Sequence, residues 1–531
     1  MSSEHAVQAA ASSTLLTPGM LATLSIAILG GLALSKAFSG KRDTRPVVMA
    51  AHRHLLPRTP IENARRLVEL GHGEKQYVRL GTEQPGGNRI YLIATIRGKR
   101  VKKEKLEYAA KCIQRIHPLL RCRLVRVNGQ VTLEEDPNLL LNVVVRARSG
   151  PETCRQVFHK EAEKVIMEIG EDAKSPHTLW LFQDSVENSS HSDETCEIVL
   201  DMSHFAIDGA GLAPLMHEVL KYALDENAEL PPYGPWPISH CAALDGFLAE
   251  KHSWLQKRFI QLRMLLYYVW VSSSQRIFHL PRRDSWKMRE YGLWNTTYCA
   301  RQNLDVKETQ ALISRCKERQ ISVTSAVTAA YLEACAEVAR HHIGAGKFHA
   351  TANICADSRK IYSAPSTDLA PHVYGCPLFS SESHYWDNEN NDAEFTWALA
   401  ADIKQHIKNV TADPVEIALQ AYWLPSFFSL QPTHLKAPML NVSSWCPNAP
   451  VQLRYNGEDF AVEDVELLQN LAFTSWVNVS MYTFVGKLNI SLLAPVPRFD
   501  SKLLDDVFAR AKKKVHSLIE NNASVSTRGQ H

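Results

Sequence analysis

The run CEIVLDMSHFAIDGAGLAPL, Cys196 to Leu215, does most to restrict the fold of this chain. Ile198, Val199 and Leu200 are nearly continuous aliphatics, the pattern of a strand covered on both faces. The residues that follow, GLAPLMHEVLKYALDE, place Leu212, Leu215, Val219 and Tyr222 on one helical face. A buried strand therefore passes into a helix through a short bend that holds His204, Asp208 and Gly209. A lone strand-end histidine is more often structural than catalytic. Its company favours chemistry: a five-residue loop fixes an imidazole ring, and Gly209 lets the backbone turn without a side chain blocking a substrate.

Strand and helix patterns alternate through the rest of the chain. NRIYLIATI, Asn88 to Ile96, reads as a strand, and KLEYAAKCIQRIHPLLRCRLV sets Leu106, Ala109, Ala110, Ile113 and Ile116 on one helical stripe that Pro118 ends. The pattern returns later. ISVTSAVTAAYLEACAEVARHH has Ser322 or Thr324 as its cap and leads to strand-like KFHATANICADSRKIY. VGKLNISLLAP alternates as a strand, and SKLLDDVFARAKKKVHSLIE predicts a helix burying Leu504, Val507, Phe508, Ala511, Val515 and Leu518. Between the halves PPYGPWPISH marks a crossover, and the apolar run Met264 to Val271, too short to span a bilayer, suits helix packing between lobes, the alternative being contact with a membrane surface or a greasy substrate. With 531 residues, 45% of them hydrophobic, the chain can bury a large core in two lobes. The predicted class is α/β (α+β), with a leader over 1–45, a first lobe over 61–235, a crossover over 236–290, a second lobe over 291–521 and a polar, flexible tail over 522–531.

A formal net charge of +3 gives no electrostatic case for nucleic acid. The basic turn RGKRVKKEK is read as solvated. Eleven scattered cysteines, with no C-x-x-C pair and no zinc-spaced Cys/His cluster, indicate neither a disulfide framework nor a metal site, and suit a reducing compartment. Pro18 to Ser35 is uncharged and is followed by Lys36, Lys41, Arg42 and Arg45. As a helix it reaches roughly 27 Å, near the short end of a bilayer span. The expectation is a single anchor with the catalytic body in the cytosol, at the endoplasmic reticulum for instance; the alternative is a soluble cytoplasmic protein with a mildly apolar leader.

HFAIDG, His204 to Gly209, resembles the H-x-x-x-D-G motif of the coenzyme A-dependent acyltransferase superfamily, which includes chloramphenicol acetyltransferase, the plant BAHD enzymes and peptide-synthetase condensation domains. Four further segments are similar to that family in the same order. They are HPLLRCRL (His117 to Leu124), VTSAVTAAYLEACA, ICADSRKIY and NVSSWCP (Asn441 to Pro447). Ser203 stands where condensation domains carry a second histidine, and the D-F-G-W-G segment of BAHD enzymes is absent. The chain looks most like fungal O-acyltransferases of secondary metabolism, of the trichothecene or glycolipid type.

The resemblance implies two chloramphenicol-acetyltransferase-like lobes, each a mixed sheet with packed helices, and a channel at their interface. It also implies transfer from acetyl-CoA or another acyl-CoA, a co-substrate rather than a tightly bound cofactor, to a small-molecule hydroxyl. His204 is then the general base, and a thioester already activated needs no serine or cysteine nucleophile. Asp208 invites a triad role, but the resemblance implies that it pairs with an arginine of the second lobe, Arg359. Ser443, Ser444 and Trp445 are candidates for the oxyanion site or substrate channel. A monomer is expected. The alternatives are a non-catalytic condensation-like binding module and an enzyme of N-acyl or peptide condensation; a serine hydrolase lacks its G-x-S-x-G elbow here.

Overall fold

The structure is a computed structural model. It describes residues 66–84, 86–150, 153–161, 165–184, 194–234, 280–281, 296–343, 350–357, 359, 369, 373–381, 393–411, 440–444, 454–455, 459–471, 477–496 and 498–520, to which all structural statements refer. The first half runs β1 (Arg66–Val68), α1 (His72–Glu83), β2 (Arg89–Gly98), α2 (Lys103–Ile116), β3 (Cys122–Val127), β4 (Gln130–Glu135), β5 (Asn142–Ala147), α3 (Thr153–Lys160), β6 (Thr178–Gln183), β7 (Glu194–Ser203) and α4 (Gly209–Leu224). The second half runs β8 (Thr296–Leu304), α5 (Val306–Glu318), α6 (Val323–Ile343), β9 (Ala350–Asp357), β10 (Val373–Ser381), α7 (Ala393–Thr411), β11 (Leu440–Ser444), β12 (Arg454–Tyr455), β13 (Phe460–Gln469), β14 (Val477–Phe484), β15 (Lys487–Val496) and α8 (Ser501–Ile519).

These strands form two six-stranded mixed sheets, ordered β12-β13-β2-β7-β6-β5 and β10-β9-β11-β14-β15-β8, and a small sheet β1-β4-β3. The α/β class expected from the alternation is what is observed. β5 runs parallel to β6, β11 runs parallel to both β9 and β14, and the remaining pairs are antiparallel. β12 and β13 come from the second half of the chain yet complete the first sheet, with β13 paired along β2.

The continuous aliphatics of β7 have a direct cause. Ile198 and Leu200 pack under α2 and α4, while Val199 packs on the opposite face with Phe158 of α3, Trp180 and Phe182. Leu212, Leu215, Val219 and Tyr222 of α4 are all buried as read. The second sheet buries its helix-facing side under α5, α6, α7 and α8. Ser322 is the residue that caps α6, accepting a hydrogen bond from the Ser325 N–H at 3.0 Å. Ile116 packs against the core on the stripe of α2, while Phe508 of α8, expected to be buried, is only partly so.

The membrane expectation is corrected. No helix among the described residues is long and apolar enough to cross a membrane, and residues 18–35 lie outside them. Even α6, the longest described helix, carries Glu333, Glu337 and Arg340 among its apolar residues, because it packs on a sheet rather than in hydrocarbon. Neither an anchor nor a membrane partner is carried further. The apolar run 264–271, the leader and the tail after 520 also lie outside the described residues.

Candidate active site

His204 begins the bend that follows β7. The Ala206 N–H donates to the Ser203 carbonyl at 3.1 Å, closing the turn, and the His204 N–H donates to the Asn88 carbonyl at 3.2 Å. Asn88 holds that carbonyl in place with φ at 63°, the left-handed region that asparagine tolerates better than most residues. Phe205 and Ala206 sink into the apolar cluster beneath the small sheet and α1. The backbone of the bend is thus pinned on both sides of the imidazole.

Three residues that the sequence did not single out surround this bend. Tyr77 of α1 stacks on the His204 ring, with centroids 4.4 Å apart and planes 6° from parallel. His177 is fully buried, and its Nδ1 accepts from the Ser203 N–H at 3.2 Å. Burial drives His177 down to about 3, with the Arg89 cation pushing the same way and the Leu119 carbonyl opposing, so it is a neutral acceptor with its proton on Nε2. Met167 takes the Ser203 hydroxyl on its sulfur at 3.0 Å and lies against Gly81 of α1, where an added Cβ would stand 2.0 Å from the Met167 methyl carbon. No local periodicity announces these contacts; they come from segments 26 to 127 residues away.

His204 retains 9% of its surface. Its covered nitrogen is Nδ1, which makes no hydrogen bond of full geometry. Burial lowers the His204 pKa below the ordinary 6.5, opposed by the backbone carbonyls of His204 and Ile207 and by the Asp208 charge. A proton on Nδ1, where those carbonyls receive it, leaves the lone pair on Nε2.

Asp208 is turned to other partners. Oδ1 accepts from the Gly211 N–H at 2.9 Å, capping α4, and from Arg359 Nη2 at 2.9 Å, while Oδ2 accepts from Arg359 Nη1 at 2.8 Å. Both side chains are almost wholly buried, and Asp357 gives the guanidinium a further acceptor at 3.1 Å. The structure therefore brings Asp208 and Arg359 together as a forked pair joining the two halves of the chain. Gly209 opens α4 without a positive φ. The tight spot of this turn is Gly211, where a Cβ would meet Ile207 at 3.0 Å and Leu369 at 3.3 Å.

The remaining candidates separate. Ser443 lies opposite Ser480 in the β11–β14 register and shares a face with Asn441. Ser444 points the other way and accepts from Thr324 Oγ1 of α6 at 2.9 Å. Trp445 lies outside the described residues. A cavity of about 490 Å³ sits among Asn303, Arg454, Asp464, Phe484 and Lys487, and no residue of the His204 bend lines it. Among the described residues no group of three or more His, Cys, Asp or Glu is placed to hold a metal.

No protein-family model matches the sequence, and no curated protein does. Solved structures do match in fold. The TRI3 trichothecene 15-O-acetyltransferase from Fusarium sporotrichioides superposes with a TM-score of 0.64 at 11% identity, over 87% of this chain and 100% of its own. SgcC5 from Streptomyces globisporus gives 0.60 at 12% identity over 85% and 98%, and the condensation domain of the monacolin K polyketide synthase MokA gives 0.60 at 10% over 86% and 97%. The likeness is one of fold, shared with an O-acetyltransferase and with a condensation domain.

Proposed function

We propose that this protein is an acyltransferase that moves an acyl group from a coenzyme A thioester, acetyl-CoA first among them, to the hydroxyl of a small secondary metabolite or glycolipid. The observation that carries the reading is His204: a neutral imidazole on a backbone-pinned bend, its Nδ1 covered, in a residue that keeps 9% of its surface. Nε2 takes the proton of the acceptor hydroxyl as the hydroxyl oxygen attacks the thioester carbonyl. The tetrahedral intermediate then expels the thiolate, which recovers the proton from the imidazolium. General base catalysis of this kind contributes about 10²–10⁴-fold, and holding both substrates against one base adds at least as much.

In this scheme the Asp208–Arg359 pair shapes the bend and does not touch substrate. Ser443 faces away from the helices and is the better of the two serines for the oxyanion, since Ser444 is turned toward α6. The trichothecene acetyltransferase fold supports hydroxyl acceptors, and Ser203 in place of a second histidine argues against peptide condensation.

The test is thiol release from acetyl-CoA with and without a panel of primary and secondary alcohols. Release that requires alcohol is expected, with its acid limb below pH 6.5 because His204 is held neutral. His204→Ala is expected to lose at least 10²-fold in kcat/KM while keeping the wild-type melting temperature. Release into water alone points to a hydrolase, none at all to a binding module, and near-normal turnover in the folded variant removes His204 as the base.

A further inference from the structure

Both six-stranded sheets line the cavity of about 490 Å³: Ala461, Val462 and Asp464 of β13 in the first, and Phe484, Lys487 and Asn489 of β14 and β15 in the second. Val462 is the register partner of Ile96, and Ser203 that of Arg89, so seven residues of β2 set the cavity about 24 Å from the His204 bend. Beside it the sheets are tied together. Arg301 Nη2 donates to Asn489 Oδ1 at 2.8 Å and to Asp464 Oδ2 at 3.3 Å, and the Tyr482 hydroxyl donates to the Val465 carbonyl at 2.6 Å.

The backbone is irregular on both walls. β13 carries one extra residue, Glu463, where its register with β2 shifts between Val462 and Asp464, and a bulge of this kind re-aims side chains. Opposite, the two-residue turn between β14 and β15 holds Val485 at φ 47° and Gly486 at φ 75°. A turn with two positive φ angles suits Asn or Asp before Gly, and a β-branched residue there is strained. Val485 nevertheless lines the cavity, half exposed, and Val306 of α5, also half exposed, has both methyl groups 3.6 Å from where a Cβ on Gly486 would stand. The strained valine thus sets apolar surface at the edge of the cavity and not in the core.

The charges of the lining do not balance. Glu463 pairs with Arg97 at 3.1 Å and Asp464 with Arg301, so both carboxylates already have cations from outside the lining. Arg454 and Lys487 line the cavity too, and among the described residues their side chains have no ionic or hydrogen-bonding partner. Two unpaired cations around one concave space concentrate positive potential there.

We propose that this cavity binds an amphiphilic organic anion, its carboxylate or phosphate head held by Arg454 and Lys487 and its apolar body lying on Phe484 and Val485. The guanidinium offers a fork to either head, and the ammonium a point charge. The site stands apart from His204, and its occupation does not require acyl transfer there.

Calorimetric titration of the full chain with octanoate, octyl phosphate and octan-1-ol, each below its micelle concentration, tests this in wild type, Arg454→Gln, Lys487→Gln and Val485→Asn. Saturable binding of at least one anion is expected, about tenfold tighter than the alcohol of the same chain, and the tighter anion identifies the head group. Each glutamine variant should weaken that binding about tenfold, as loss of one charge-assisted hydrogen bond does, at an unchanged melting temperature because both side chains are exposed. Val485→Asn relieves the turn, so it should melt higher than wild type yet bind the anion roughly fourfold more weakly, the worth of one buried CH₂. No saturable binding of either anion, equal affinity for the alcohol, or unchanged affinity in the folded charge variants overturns the proposal. A Val485→Asn protein that binds as tightly as wild type overturns its apolar half.

Discussion

Replacing Asp208 by asparagine separates a structural from a catalytic reading of the H-x-x-x-D-G bend. In the wild type the carboxylate accepts two guanidinium hydrogen bonds and caps α4, and the pair is all but closed to solvent. Asparagine keeps one carbonyl for the Gly211 N–H but loses the charge that compensates Arg359. Stripping one partner from a buried pair costs about 3–5 kcal/mol. Asp357, 3.1 Å from Arg359 and half exposed, takes up part of that charge, so about 3 kcal/mol is expected for Asp208→Asn. Asp208→Ala also removes the cap and should cost about 1 kcal/mol more. Arg359→Met added to Asp208→Asn relieves the orphaned charge, and the double variant should fall short of the summed losses by roughly 2 kcal/mol. Urea unfolding followed by tryptophan fluorescence measures these three variants and Arg359→Met alone. The Asp208 charge favours the imidazolium of His204, so its removal should move the acid limb of activity to lower pH while the folded variant keeps turning over. An Asp208→Asn protein as stable as wild type, yet inactive, would refute the structural role and restore a triad.

Two further perturbations test the shell around the bend. His177 has a depressed folded pKa of about 3 against an ordinary 6.5, so the unfolded chain binds its proton first. The stability tied to it is complete above pH 6.5 and falls as pH drops toward 3, by roughly 5 kcal/mol at the limit. His177→Phe should lose about 1–3 kcal/mol at pH 7, where the Ser203 N–H goes unpaired, and show a flatter urea midpoint between pH 6.5 and 3; equal slopes in the two proteins reject the assignment. Gly81→Ala must displace the Met167 methyl group, a flexible end, at a cost of about 1–3 kcal/mol against about 1 kcal/mol of helix propensity gained. A small net loss of stability is expected, and in a Met167→Ala background, itself destabilised by its cavity, Gly81→Ala should cost nothing further; a loss that persists there would place the strain elsewhere.

Local chemistry made much of this protein legible. The aliphatic run of β7, the stripe of α4 and the strand character of β9 and β15 follow from burial on one face or two, and burial of that kind is written in period and composition. His204 and Asp208 stood out because polar residues at the end of a buried strand need partners. Apolar length alone misleads at residues 18–35, where it suggested a membrane anchor: no described helix is long and apolar enough to cross a membrane.

Which partners the polar residues found was decided by the tertiary structure alone. His177, Tyr77 and Met167 meet the bend from distant segments, and the hydrogen bonds from Asn353 to Asn441, Asn441 to Asn478 and Asn478 to Gln469 form only when β9, β11 and β14 come into register and β13 joins the first sheet. A sequence displays which side chains seek burial or a hydrogen bond, because that is a property of each residue and its near neighbours. It does not display which of the distant candidates satisfies them, because that depends on sheet order and on the packing of the whole core.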